Sequence, residues 1–154
     1  KLRHMYFYRW PDNSCFQNSV KKLKDEITSI LNQDNSIKKI SLIGHSYGGL
    51  LVTQLLKDWN LSTPIEIHVI ASPLLGTPML NSMCAYEPIS AIPKKSVLYE
   101  WRTQFQLDNV FKNLNEDPQR IELNGSLVTT LPDTYKGNRL GHNWSISWVA
   151  DEAF

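Results

Sequence analysis

The chain has 154 residues, 42% hydrophobic and 20% charged, which is enough for one domain around a single core. Sixteen Lys and Arg against fifteen Asp and Glu leave a formal charge of +1, so neither nucleic acid nor an anionic membrane is expected to be drawn in by long-range attraction. The two cysteines, Cys15 and Cys84, form no CxxC pair, which argues against a structural zinc site and leaves a bridge and two separate thiols equally open. No apolar run approaches a membrane span, and no apolar stretch of signal-peptide type follows Lys1-Leu2-Arg3-His4-Met5. The expectation is therefore a soluble chain with no transmembrane segment and no signal peptide of its own, its compartment and oligomeric state left open. Because it starts on Lys1 rather than Met, a processed chain or a fragment is expected.

In chain order, Met5 to Trp10 is aromatic and stops at Pro11, which reads as a short strand ended by a turn. Ser14 with Gln17 resembles a capping box, and Val20, Leu23, Ile27, Ile30 and Leu31 then recur at helical steps. Lys21, Lys22 and Lys24 fit the wet face of that helix, and Asp34-Asn35-Ser36 ends it. Lys39 to Ile43 reads as a buried parallel strand bounded by Gly44. Leu50, Leu51, Leu55, Leu56 and Trp59 mark a second helix, Thr63-Pro64 closes its loop, and Ile65 to Ala71 is the next strand. This alternation of strand and helix predicts right-handed crossover units and a mostly parallel sheet with flanking helices. Further on, Val97 to Leu114 is expected as helix, Arg120-Ile121-Glu122-Leu123 as a fourth strand, and Asn143 to Phe154 as a closing helix.

Gly44-His45-Ser46-Tyr47-Gly48-Gly49 lies where a strand turns into a helix. A Gly-x-Ser-x-Gly motif in that place sets serine on a tight, strained turn with its hydroxyl above the sheet. The glycines two residues to either side are expected to avoid collisions with the neighbouring strand or helix. The following helix points its free N–H groups and partial positive charge at a developing oxyanion, with the Tyr47 N–H as first donor. No GxxxxGK[ST] or GxGxxG pattern offers a phosphate-binding turn instead.

A serine nucleophile needs a base. His4 precedes the first strand, His45 sits inside the elbow and is expected to point elsewhere, and His68 lies mid-strand as a satisfied or solvent-facing residue. His142, in Gly141-His142-Asn143, comes late, follows a loop and opens a helix, as the serine–acid–histidine order requires. The acid is expected just beyond Arg120 to Leu123, where no carboxylate stands. Asp133 is the nearest downstream, with a turn role beside Pro132 equally open, whereas Asp108 and Asp117 precede that strand and fall at the wrong end of the sheet. The expected constellation is Ser46, His142 and Asp133, or a dyad assisted by Asn124 or Ser126. This chemistry calls for no cofactor and no metal.

The elbow, with Ser72-Pro73-Leu74-Leu75-Gly76-Thr77-Pro78 and Gly141-His142-Asn143, resembles the α/β-hydrolase superfamily. The closest group holds triacylglycerol lipases and GPI-inositol-deacylase-like proteins. The resemblance runs from about Tyr6 to Trp148. It implies an α/β-hydrolase-like sheet truncated at its N-terminal side. The family's earlier strand, and the His-Gly segment that supplies a second oxyanion donor, are missing unless the loop Trp10 to Cys15 substitutes for it. It further implies a serine hydrolase, of lipase or esterase type, cleaving a carboxylic ester of a small molecule or lipid. The alternatives are a catalytically impaired binding module, or a thioesterase or acyltransferase. Serine at the nucleophile position argues against relatives that use aspartate there. Leu74 to Trp101 is expected as a lid or acyl-binding wall, or equally as core.

Overall fold

A computed structural model of the chain describes residues 4–11 and 15–154. The first long element is helix α1, Gln17–Gln33, which turns Leu23 and Ile27 into the core. The expected capping box cannot be followed, because Ser14 lies outside the described residues. Gln17 donates from Nε2 to the Cys84 carbonyl at 3.3 Å. The helix ends at Asp34, whose carboxylate accepts the Ser36 N–H at 2.9 Å in an Asx turn.

Strand β1 (Ile40–His45), helix α2 (Tyr47–Lys57) and strand β2 (Ile65–Ile70) follow where the periodicity predicts, but β1 stands at the sheet edge with Ser41 and Ile43 exposed and is not the buried strand expected. Helix α3 (Pro78–Cys84) starts with Thr77 capping the Leu80 N–H through its hydroxyl, and Pro78 sits in the first turn, where a missing N–H does no harm. Strand β3 (Ser96–Arg102) and strand β4 (Leu127–Thr130) complete a sheet of order β1-β2-β3-β4, parallel throughout. Between them, Phe105–Leu107 forms one 3₁₀ turn. A small hairpin, β5 (Thr134–Tyr135) and β6 (Asn138–Arg139), turns through Lys136 and Gly137, both at positive φ as a tight two-residue hairpin loop requires. Helix α4 (Trp144–Ala153) closes the chain.

Side-chain alternation along the strands divides the core in two. Ile65, Ile67, Val69 and Leu98 join Leu23, Ile27, Leu50, Leu55 and Leu56 under α1 and α2. Ile70 points the other way and joins Phe111, Leu131, Leu140 and Val149 beneath α4. β2 therefore buries both faces, as an interior parallel strand does, and only Glu66 along it is half-buried. Among the described residues, no helix is long and apolar enough to cross a membrane.

Three further expectations fail. Met5 to Trp10 forms no strand; no neighbouring strand pairs with it, and Met5, Tyr6 and Phe7 stay exposed. The segment is tied down by the Tyr8 hydroxyl on the Ser19 carbonyl and by Trp10 against Phe16. Val97 to Leu114 is not helix but β3, the 3₁₀ turn and loop, with β3 an interior strand of the sheet. Arg120 to Leu123 pairs with no strand. Ile121 and Leu123 plug the core, and the Ile121 carbonyl accepts from Arg102 Nη2 at 2.9 Å.

Cys15 and Cys84 are disulfide-bonded, joining the approach to α1 to the end of α3 across 69 residues. Closing a loop of that length removes unfolded-state entropy corresponding to about 4 kcal/mol. Cys84→Ser is expected to lower the unfolding free energy by roughly that amount, read from urea denaturation. A midpoint equal to that of the oxidised wild type would contradict it.

Candidate active site

The elbow forms because β1 and α2 meet without a connecting loop. Ser46 adopts φ 53° and ψ −122°, a region where a residue with a side chain is strained. Its backbone is held at both ends. The Ser46 N–H donates to the Ile70 carbonyl at 2.9 Å, and its carbonyl accepts from the Ser72 hydroxyl at 2.6 Å and the Gly49 N–H at 3.0 Å. Steric need for glycine falls on Gly44 and Gly49 rather than on Gly44 and Gly48. A Cβ on Gly44 would collide with the Gly48 backbone, one on Gly49 would collide with the Ser72 hydroxyl, and one on Gly48 would meet nothing. Tyr47 opens α2, so its N–H belongs to the first turn, which the helix cannot satisfy from within. The loop expected to substitute as second oxyanion donor includes residues 12–14, which lie outside the described residues.

His142 stands at the start of α4, buried to 8% exposure. His45 does not point away from it. The two rings lie 4.7 Å apart, and His45 Nε2 donates to the His142 carbonyl at 3.0 Å. The same carbonyl accepts the Ser145 hydroxyl. The residue next to the serine thus grips the backbone of the histidine. The Phe111 ring meets the imidazole edge-on at 5.0 Å. The hydrogen bonds at His142 run to Asp108 and His45 rather than to the Ser46 hydroxyl.

The carboxylate that meets His142 is Asp108, not Asp133. Asp108 is fully buried, and its Oδ2 accepts His142 Nδ1–H at 2.9 Å. Oδ2 also accepts the Thr103 hydroxyl at 2.6 Å, while Oδ1 accepts the N–H groups of Val110 and Phe111. Asp133 is exposed and serves the hairpin, its carbonyl taking the Leu140 N–H. Neither dyad helper reaches the imidazole either: Asn124 is exposed, and the Ser126 hydroxyl bonds back to the Leu123 carbonyl. Asp108 was set aside because it precedes Arg120 to Leu123. Once β3 is the preceding strand, Asp108 lies just past the C-terminal end of the sheet, the same end as Ser46. The sequence signal for β3 is the apolar and aromatic run Val97-Leu98-Tyr99 shortly before the carboxylate, which helical spacing masks.

Electrostatics at the pair are consistent. Burial would push the Asp108 carboxyl up, but hydrogen bonds from His142, Thr103 and Val110 hold it below the usual carboxylate value. With a carboxylate against it, Nδ1 is the nitrogen that donates, which orients Nε2 away from Asp108. Burial pushes His45 below the ordinary histidine value, only partly offset by its bond to the His142 carbonyl. His68 is a satisfied strand residue, bonded to Glu66 and Trp101 and stacked on Tyr99. Among the described residues, no group of three His, Cys, Asp or Glu is placed to hold a metal ion.

A family model described as the PGAP1-like alpha/beta domain matches residues 15–146, a span that includes the elbow, Asp108 and His142. No curated protein and no solved structure matches the chain. With the parallel sheet and flanking helices described above, the chain belongs to the PGAP1-like alpha/beta domain family, within the α/β-hydrolase superfamily.

Proposed function

We propose that the protein is a serine hydrolase that cleaves a carboxylic ester, with Ser46 as nucleophile, His142 as general base and acid, and Asp108 orienting the imidazole. The observation that carries this reading is the buried bond between His142 Nδ1 and Asp108, with His142 also held by His45, the chain neighbour of a serine at strained backbone angles. In the proposed reaction, the Ser46 hydroxyl proton passes to His142 Nε2 as Oγ bonds the carbonyl carbon. The Tyr47 N–H stabilises the resulting oxyanion. Collapse breaks the ester bond, and the departing alcohol takes the proton from His142. Water then enters by the same proton relay and releases the acid. Val110 and Trp144, each two residues from a member of the constellation, are exposed apolar side chains, which supports an ester with an apolar acyl part. The motives for a catalytically impaired relative are a missing acid and a missing second oxyanion donor; the Asp108–His142 bond speaks against the first, and the loop that would answer the second includes residues outside the described ones.

A fluorophosphonate probe is expected to label wild type at Ser46 and to leave Ser46→Ala unlabelled, as read by intact-protein mass; an unlabelled folded wild type would end the reading. Asp108→Asn is expected to lower kcat on a p-nitrophenyl ester on the order of 10⁴-fold, the size of effect when a triad aspartate loses its charge and fixes the wrong tautomer. Asp133→Asn is expected to leave kcat within about twofold, since surface changes of this kind are energetically small.

The folded protein holds both His45 and Asp108 below their ordinary values, so over the affected range the unfolded chain binds more protons than the native one. Stability is full above the ordinary histidine value of 6.5, falls as pH drops below it, and falls again as pH drops below the ordinary aspartate value of 3.8. Urea midpoints measured from pH 8 to pH 3 are expected to show both steps. His45→Gln is expected to flatten the upper one, and an upper step of undiminished size in that variant would refute its assignment.

A further inference from the structure

Thr103 is the first residue beyond β3, where the ladder ends and its peptide groups lose their strand partners. One side chain replaces those partners. Gln119 Oε1 accepts the Thr103 N–H at 3.0 Å, and Gln119 Nε2 donates to the Thr103 carbonyl at 3.1 Å. The amide is itself fixed in orientation, because Nε2 also donates to Asp117 Oδ1 and a flipped amide would set its NH₂ against the Thr103 N–H. Gln119 and Thr103 are both almost wholly buried. The Thr103 hydroxyl has a single proton and two acceptors near it, Asp108 Oδ2 at 2.6 Å and Gln119 Oε1 at 3.1 Å. The charged and nearer acceptor takes it.

We propose that Thr103, clamped by Gln119, is a positioning residue: its hydroxyl fixes the Asp108 oxygen that receives the His142 proton. Two donors converge on Oδ2, one from the residue that ends β3 and one from the imidazole. Oδ1 is held by the turn at Val110 and Phe111. Without the Thr103 donor, the carboxylate is secured at one oxygen only and free to pivot about it, taking the imidazole with it. The inference rests on the ester-hydrolase reading for its kinetic consequences but not for its structural one.

Thr103→Val keeps the volume and removes the donor, and Thr103→Ser keeps the donor. Both are compared with wild type in kcat and KM on a p-nitrophenyl ester across pH, in urea midpoint, and in the downfield proton resonance of His142 Nδ1–H. Thr103→Val is expected to lower kcat on the order of ten- to a hundredfold, the cost of one charge-assisted hydrogen bond, with KM within about twofold. The acid limb of its kcat profile is expected to move to higher pH, because a carboxylate that has lost a donor binds protons more readily, and so does its partner imidazole. Thr103→Ser is expected to recover most of the rate. If valine does not fold, Thr103→Ala removes the same hydroxyl in its place. A hydroxyl-free variant with the wild-type kcat and pH limb overturns the proposal, and so does serine failing as badly as valine. Should wild type turn over no ester, the hydrolase reading falls alone. The Nδ1 resonance then decides: shifted or lost in Thr103→Val and retained in Thr103→Ser, it upholds the positioning role, and unchanged in both it overturns it.

Discussion

Ser46 holds a backbone conformation that costs on the order of 1–3 kcal/mol for a residue with a side chain, and the end of β2 is what keeps it there. Its N–H is anchored on Ile70 and its carbonyl on the Ser72 hydroxyl, so the first residue after the β1 ladder is bolted to the strand alongside. That arrangement explains three sequence features at once. Gly44 lets the strand pass the helix, Gly49 leaves room for the Ser72 side chain, and Ser72 is the donor that occupies the room. Ala71, between the two anchors, also takes a positive φ. The strain of the elbow is thus shared between two adjacent strand ends rather than held by one turn.

From this fixed point the rest of the site is reached by short polar links, not by the hydrophobic core. His45 reaches across to the His142 carbonyl; His142 reaches to Asp108; Asp108 reaches back to the end of β3 through Thr103. The links therefore run from the end of one strand to the end of another along the C-terminal edge of the sheet. That edge is where strands in an open α/β sheet place their ligand-handling loops. The disulfide acts elsewhere, fastening α3 to the start of α1 at the flank of the domain.

The elements with a single strong pattern were legible: α1 and α2 by apolar stripes, β1 and β2 by short apolar runs, and the elbow by its glycines and its place between strand and helix. β3 was not, for a physical reason. It sends Leu98 to one core and Trp101 to the other, so apolar residues stand on both of its faces and no polar face marks it as a strand. Val97, Trp101 and Phe105 are meanwhile spaced by four, which imitates a helical face. Arg120 to Leu123 erred in the opposite direction. Its alternation is real, since Ile121 and Leu123 are buried and their neighbours exposed, but Arg102 takes the Ile121 carbonyl with a side chain and no ladder forms. These two errors together produced the third. Whether an aspartate stands at the C-terminal end of a sheet depends on which strand precedes it; with β3 before it rather than Arg120 to Leu123, Asp108 falls at the end where Ser46 stands.

Burial alone does not mark Asp108 as functional, because Glu100 is buried as deeply. Glu100 is paired with Arg102 at 2.7 Å, yet its buried Oε1 has no hydrogen-bond partner. Asp108 has both oxygens doubly satisfied and a histidine rather than an arginine as its partner. An arginine would hold the same carboxylate more firmly, since it is always charged. A histidine gives up that firmness for a ring that can gain and lose a proton while its other face stays accessible. A chain under selection for stability alone has little reason to surround a buried carboxylate with four donors and then partner it with an imidazole. The combination is the one a proton relay needs, and it lies at the edge of the sheet where Ser46 and Ala71 hold positive φ.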